Sequence, residues 1–272
     1  MKLRHALIPA AALLCGLALW DGNTRIETAE YEIASPRLPK GFDGYRIAQV
    51  SDLHGARLGR GHRRLLQALE RARPDLIAVT GDLADVFTEG GYVSGIVPGL
   101  VSLAPVCYIT GNHERRRGDQ DRICAEIASL GATVLRDGYI RLERGEERIL
   151  LAGAEDEYPL NDARCSEALA ARIRAEEDGF LIMLVHRNDR LPRLAAQGVD
   201  LVLSGHAHGG LIRLPCTDGL IGPGPVLLPA FTAGEYRLGG GRMVVSRGLG
   251  NHSGMVRVFN RPHLPVVVLR RG

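Results

Sequence analysis

Short apolar runs separated by polar, helix-spaced stretches recur through the middle of the chain. Arg46–Val50 and Leu76–Thr80 are apolar over strand-like lengths, as are residues 105–110, 180–185 and 199–203. Between the first two, residues 60–72 place apolar side chains at helical spacing and stop at Pro74. Residues 121–130 and 160–177 read as further helices. Upstream, residues 24–33 alternate as a first strand until Pro36 and Pro39 interrupt them. Residues 133–154 predict a run of antiparallel strands, with turns at Asp137-Gly138 and Gly145-Glu146. The tail predicts two or three further strands, with residues 256–259 and 265–269 the clearest. Apolar strands alternating with helices predict a mixed α/β fold, a buried sheet with helices on its faces.

The N-terminus breaks this pattern. Residues 6–20 are apolar, preceded by Lys2, Arg4 and His5 and followed by Asp21. The run is short for a spanning helix, which needs about 17–25 residues. It is long for a soluble helix that is apolar all round. Residues 1–22 therefore read as a signal peptide or an uncleaved signal anchor, the anchor being preferred because no small-x-small site lies near Trp20. A buried N-terminal helix is the competing reading. With the basic residues before the run, the positive-inside rule predicts an exported body; a cytoplasmic face is the alternative. Residues 23–43 would form a tether and the first strand, and residues 44–272 the main domain.

Composition adds little. The chain has 272 residues, 45% of them apolar but only 5% aromatic, so aliphatic side chains must fill its core. A net charge of +3 is mildly basic and suits an anionic ligand or an acidic membrane surface. The five cysteines make no CxxC pair, which predicts buried or incidental thiols rather than a disulfide framework or zinc ribbon. A recognised nucleic-acid module and an aromatic stacking patch are both missing, so a nucleic-acid partner is not expected.

The chemistry sits in five strings: Asp52-Leu53-His54, Gly81-Asp82-Leu83-Ala84-Asp85, Gly111-Asn112-His113-Glu114, His186, and Gly205-His206-Ala207-His208. Each follows the C-terminal end of an apolar strand, where α/β sheets bind their ligands. Carboxylates, imidazoles and an amide are the donors that hold hard-to-borderline divalent metals. In extended backbone, residues i and i+2 point the same way, so Asp52 with His54 and His206 with His208 would each face one cavity. A second Gly-Asn-His at residues 250–252 follows no comparable strand and is left out. His5, His62 and His263 have no motif company and read as surface or core residues. Arg115, Arg116 and Arg117 are either contacts for a substrate phosphate or a solvated face.

In this order the strings resemble the signature of the calcineurin-like metallophosphoesterase superfamily, over about residues 44–210. The resemblance implies a four-layer α/β/β/α sandwich and two divalent metals, manganese, iron or zinc alike. It implies that Asp52, His54 and His208 hold one metal, that Asn112, His186 and His206 hold the other, and that Asp82 bridges them. His113 would be the general acid for the leaving oxygen, oriented by Asp85, with Glu114 behind the site. Val86-Phe87 follow Asp85 where phosphoprotein phosphatases carry Arg-Gly, which argues against that class. The apolar N-terminus, residues 209–215 and residues 246–250 are more similar to the small membrane-associated bacterial branch. That branch includes phosphodiesterases and UDP-2,3-diacylglucosamine pyrophosphatases of lipid A synthesis. The expected function is therefore hydrolysis of a phosphodiester or pyrophosphate, with a lipid-linked substrate. The alternatives are a broad exported phosphoesterase on nucleotides or small organic phosphates, and a non-catalytic binder of metal or phosphate ligands. Leu211 and Val185 depart from the branch at positions that bear on substrate preference.

Overall fold

The computed structural model describes residues 13, 16, 17, 19–156, 165–213, 218–222, 226–251 and 256–272. The first part of the chain forms β1 (Glu27–Ser35), β2 (Arg46–Val50), α1 (Arg63–Ala72), β3 (Leu76–Thr80), α2 (Tyr92–Val101) and β4 (Val106–Ile109). There follow α3 (Asn112–Arg117), α4 (Gln120–Ser129), β5 (Thr133–Val134), β6 (Gly138–Arg144) and β7 (Glu147–Gly153). The remainder is α5 (Cys165–Glu176), β8 (Leu181–Leu184), α6 (Leu191–Ala196), β9 (Leu201–Ser204), β10 (Ile221–Gly222), β11 (Val226–Leu227), β12 (Gly234–Leu238), β13 (Gly241–Val245) and β14 (His263–Arg271).

Two six-stranded sheets carry the fold. The first runs β1-β14-β2-β3-β4-β5 and the second β12-β13-β9-β8-β7-β6. In the first, β2 to β5 are parallel, β14 is antiparallel to β2, and β1 lies parallel to β14. In the second, a parallel centre of β13, β9, β8 and β7 is closed on each side by a hairpin strand.

The two-residue period of the strands sorts their side chains into layers. Ile47, Leu76, Ala78, Cys107 and Ile109 of the first sheet face Ile149, Leu151, Ile182, Leu184 and Leu203 of the second in one core. The alternate residues Ala48, Ile77, Val79 and Tyr108 pack outward against α1, α2 and α4. On the far side, Leu150, Met183, Val202 and Met243 pack against α5 and α6. The result is helix, sheet, sheet, helix, and the parallel strands of both sheets are buried on both faces, which is why their sequence is continuously apolar.

The structure departs from the sequence pattern in three places. β5 does not join the antiparallel run: it pairs in parallel with β4 in the first sheet, so the turn at Asp137-Gly138 is the crossing between sheets. Residues 256–259 form no strand, only a single bridge from Val258 to Ile212. α2 and α6 lie in segments from which nothing regular was expected, while β12 and β13 are tail strands whose place the pattern left open. Cys107 and Cys124 are buried free thiols. The expected anchor falls largely outside the described residues, as does His252. Residues 19–24 are helical, and among the described residues no helix is long and apolar enough to cross a membrane.

Candidate metal centre

β2, β3 and β4 end side by side in the first sheet, and β8 and β9 in the second, so the five strings meet at one edge of the sandwich. The loops after β2 and β3 stay zipped beyond the strands, with Asp52 N donating to Gly81 O at 3.1 Å and His54 N to Asp82 O at 2.9 Å. The side chains do not converge by extended alternation. Asp52, His54, Asp82, His206 and His208 all have positive φ, between 47° and 66°. Left-handed turns swing them inward, a conformation that Asp, Asn and His tolerate better than most residues.

Three overlapping groups form a continuous cluster: Asp52, His54 and His208; His54, Asp82 and His113; Asp82, His186 and His206. Asp82 Oδ2 lies 3.1 Å from His186 Nε2, 3.7 Å from His54 Nε2 and 4.0 Å from His113 Nε2. His208 Nε2 is 3.1 Å from His54 Nε2 and 3.6 Å from Asp52 Oδ1. Asn112 Oδ1 is 3.1 Å from His186 Nε2, and His206 Nδ1 is 3.3 Å from the same atom. All seven ligand candidates named from the sequence therefore share one cluster, with His113 at its border. Asp85, expected beside His113, turns Oδ2 to within 3.8 Å of Nδ1 of His54, while its Oδ1 accepts from the Phe87 amide and the Thr88 hydroxyl.

The donors fit divalent cations. His186 donates from Nδ1 to the Thr80 carbonyl at 2.9 Å, which turns Nε2 toward Asp82 and makes it the ligand nitrogen once its proton is released. Nδ1 of His208 is buried without a hydrogen-bond partner among the described residues. Burial raises the Asp52 carboxyl to about 6 against the pull of His186. Burial acts on Asp82 the same way, yet His186, with His54 and His113, holds it well below the usual carboxylate range. His186, which burial alone would push down, is held at about 10 chiefly by Asp82. In the bare cluster its imidazolium is thus the positive charge opposite Asp82, a place that a cation takes with release of the proton. Burial, then neighbouring imidazoles, lowers His206 to about 3 and holds His208 well below the ordinary imidazole value, leaving both as neutral ligand bases.

The surrounding residues fix this geometry. Glu114, fully buried, accepts from the amides of Asp82 at 3.0 Å, Ala84 at 2.9 Å and Gly111 at 2.8 Å, so one carboxylate ties two ligand loops together. Burial raises its carboxyl to about 7. A Cβ on Gly111 would lie 2.2 Å from Asp82 Oδ1, and one on Gly205 would lie 2.3 Å from Asp52 Oδ2. Arg117 bonds the Asp85 carbonyl and pairs with Asp119, so it braces the loop. Sequence reading missed Asn260, which donates to the His208 carbonyl at 2.7 Å, and Gln49, which bridges Thr80 Oγ1 and the Ser204 carbonyl. It also missed Arg257, buried beside the loop and bonded to the Gly250 carbonyl. The polar Gln49 inside an apolar strand was the one available signal. His62 and His263 are both buried.

Comparison with known proteins agrees with this architecture. The model of the calcineurin-like phosphoesterase family matches residues 45–210. An uncharacterised metallophosphoesterase of Bacillus subtilis, YkuE, is 31% identical over 90% of this chain and 86% of its own length. Phosphodiesterase YaeI of Escherichia coli is 27% identical, covering 83% of this chain and 82% of its own. Among solved structures, the sulfate thiohydrolase SoxB of Thermus thermophilus shares the fold, with a TM-score of 0.50 at 16% identity, over 86% of this chain and 57% of that enzyme. The ordered strings, their convergence on buried Asp82, and these matches lead to one conclusion: the chain belongs to the calcineurin-like metallophosphoesterases, metal-dependent hydrolases of phosphoric esters.

Proposed function

We propose that the chain is a dinuclear phosphodiesterase or pyrophosphatase acting on a lipid-linked substrate. Asp52, His54 and His208 would hold one cation and Asn112, His186 and His206 the other, with Asp82 between them. The observation that carries this is the central place of Asp82, whose Oδ2 lies within 4 Å of imidazoles from both groups. Two divalent cations held there supply positive charge to a phosphate ester and acidify water. Thr80 fixes the ring of His186, and Asp85 Oδ2 lies 3.8 Å from Nδ1 of His54. His113 stands at the edge of the cluster, its amide anchored on Asp82 Oδ1 at 2.8 Å, and gives its proton to the leaving oxygen.

The lipid-linked substrate is supported by the apolar residues 6–20. Relatives from zebrafish and cattle, each 27% identical, are named transmembrane proteins with a metallophosphoesterase domain. A UDP-linked acylated sugar is the first such substrate to try.

The test is hydrolysis of bis(p-nitrophenyl) phosphate by metal-stripped full chain with manganese restored. Activity should require the metal, vanish in Asp82→Ala with loss of bound metal, and fall about 10²–10⁴-fold in His113→Ala with metal retained. A folded chain that binds no metal would falsify the reading.

A further inference from the structure

We infer that the mouth of the metal centre lies against a lipid bilayer, held there by a ring of exposed apolar side chains that continues from the N-terminal segment. This takes the location of the site from the functional reading above. Among the described residues, large exposed apolar side chains fall on four segments, with Leu238 the sole exception. One segment is the N-terminal stretch with Leu13, Leu17, Leu19 and Trp20. The second carries Val86 and Phe87, directly after Asp85, with Phe87 71% exposed. The third, around β11, carries Val226, Leu227 and Leu228, with Leu227 73% exposed. The fourth carries Val256 and Phe259, with Phe259 65% exposed. A soluble surface scatters such residues; gathered at one site they mark an interface.

Hydrogen bonds place all four segments around the same opening. Phe87 lines a cleft of about 450 Å³ together with His54, Asp85 and Asn251. Asn251 in turn donates to Asn23 Oδ1 at 3.0 Å, and Asn23 Nδ2 donates to the Arg257 carbonyl at 3.0 Å. The end of the N-terminal helical stretch is thus fastened to the wall of that cleft. Phe259 precedes Asn260, whose amide holds the turn of His208. Leu228 N donates to Leu220 O, and neighbouring Gly219 packs on Gly210 in the same turn. Leu238, the exception, lies in the β12–β13 hairpin, at the end of the second sheet remote from the site.

Charge selects the kind of surface. A groove of about 670 Å³ begins at Trp20 and is lined by Arg25, Arg64 and Arg71 against two acids, Asp21 and Glu30. Residues 57–73 hold six arginines against one acid, Glu70. Tryptophan at the edge of an apolar segment and arginines just beyond it match the headgroup level of an anionic bilayer, where the long side chains keep their charge among phosphates. An esterified phosphate in such a headgroup then needs little lift to reach Asp82.

Trp20 is the only tryptophan, so depth can be read directly. Full chains carrying Trp20→Phe with Phe87→Trp, Phe259→Trp or Leu238→Trp are reconstituted into phosphatidylglycerol–phosphatidylcholine vesicles with brominated acyl chains. Interfacial apolar side chains reach about 5–10 Å into the headgroup–acyl boundary. The expected result is loss of fluorescence at positions 87 and 259 and none at 238. Equal quenching at all three, or none at 87 or at 259, overturns the inference. So does shielding that rises with protein concentration without bromine, since a second copy would then cover the face. Hydrolysis of bis(p-nitrophenyl) phosphate in the same samples separates the two readings: its absence sinks the catalytic proposal alone.

Discussion

The two sheets contribute unequal halves of the metal centre. The first supplies Asp52, His54, Asp82, Asn112 and His113; the second supplies only His186, His206 and His208. All the carboxylates come from one side and only imidazoles from the other. Their fastening differs too. In the first half the clamp lies inside the motif itself, as Glu114 receives three amides of the neighbouring loops. In the second half the clamps come from elsewhere: Asp52 receives the His206 amide at 3.0 Å, and Asn260 holds the His208 carbonyl. A carboxylate half must be rigid before the cation arrives, because two unneutralised acids repel each other. An imidazole half can be positioned from outside at less cost.

This contrast can be broken most severely at its glycines. In Gly111→Ala the new Cβ forces Asp82 aside, and a displacement near 1 Å should cost on the order of 10²-fold in kcat/KM. Gly205→Ala should do comparable damage through Asp52, so metal content would fall in both variants. Next comes Glu114→Ala, which strands three buried amides at about 1–3 kcal/mol each and should show as a much lower urea midpoint even without metal. Asn260→Ala sharpens the difference. It should lower metal affinity by about 10–100-fold through His208, with far less effect on the metal-free midpoint. If Asn260→Ala unfolds the chain as readily as Glu114→Ala, the two halves are built alike and the contrast fails.

The smallest effect is a pH dependence in the brace of the first half. Arg117, bonded to Asp119, holds that carboxyl at about 2. A carboxyl whose pKa is depressed by folding stabilises the fold above its unfolded value near 4 and loses that contribution as pH falls towards 2. Asp119→Asn should therefore lower the Tm at pH 6, with the gap to the parent closing between pH 4 and 2. A gap that stays constant with pH would remove the ion pair from the account.

The layered fold was legible wherever a strand is buried on both faces, as in β2, β3 and β8. Their unbroken apolar runs are a consequence of two-sided packing. β5 was not: a two-residue strand carries no periodicity, and its partner β4 is chosen by the sheet. α2 was hidden by Gly95, Pro98 and Gly99, helix-weakening residues that tertiary burial of Ile96, Val97 and Leu100 overrides. At the metal centre, the motif residues were legible through their order and their place at strand ends. Their left-handed backbone was not, since Asp and His carry no mark of φ. Asn260 and Arg257 were invisible because their roles depend on contacts with the distant turns at His208 and Gly250.

The pairing of β1 with β14 has a consequence in time. Glu32 bonds Arg270, 238 residues later, and β14 sits between β1 and β2. At about 5–20 residues per second, the ribosome needs roughly 10–50 s between making these two strands. Throughout that interval the first sheet has a missing slat and β2 presents a bare edge, the kind of edge that recruits stray strands. Deleting His263–Arg271, buried through Leu269, should therefore strip both β1 and β2 of their shared partner.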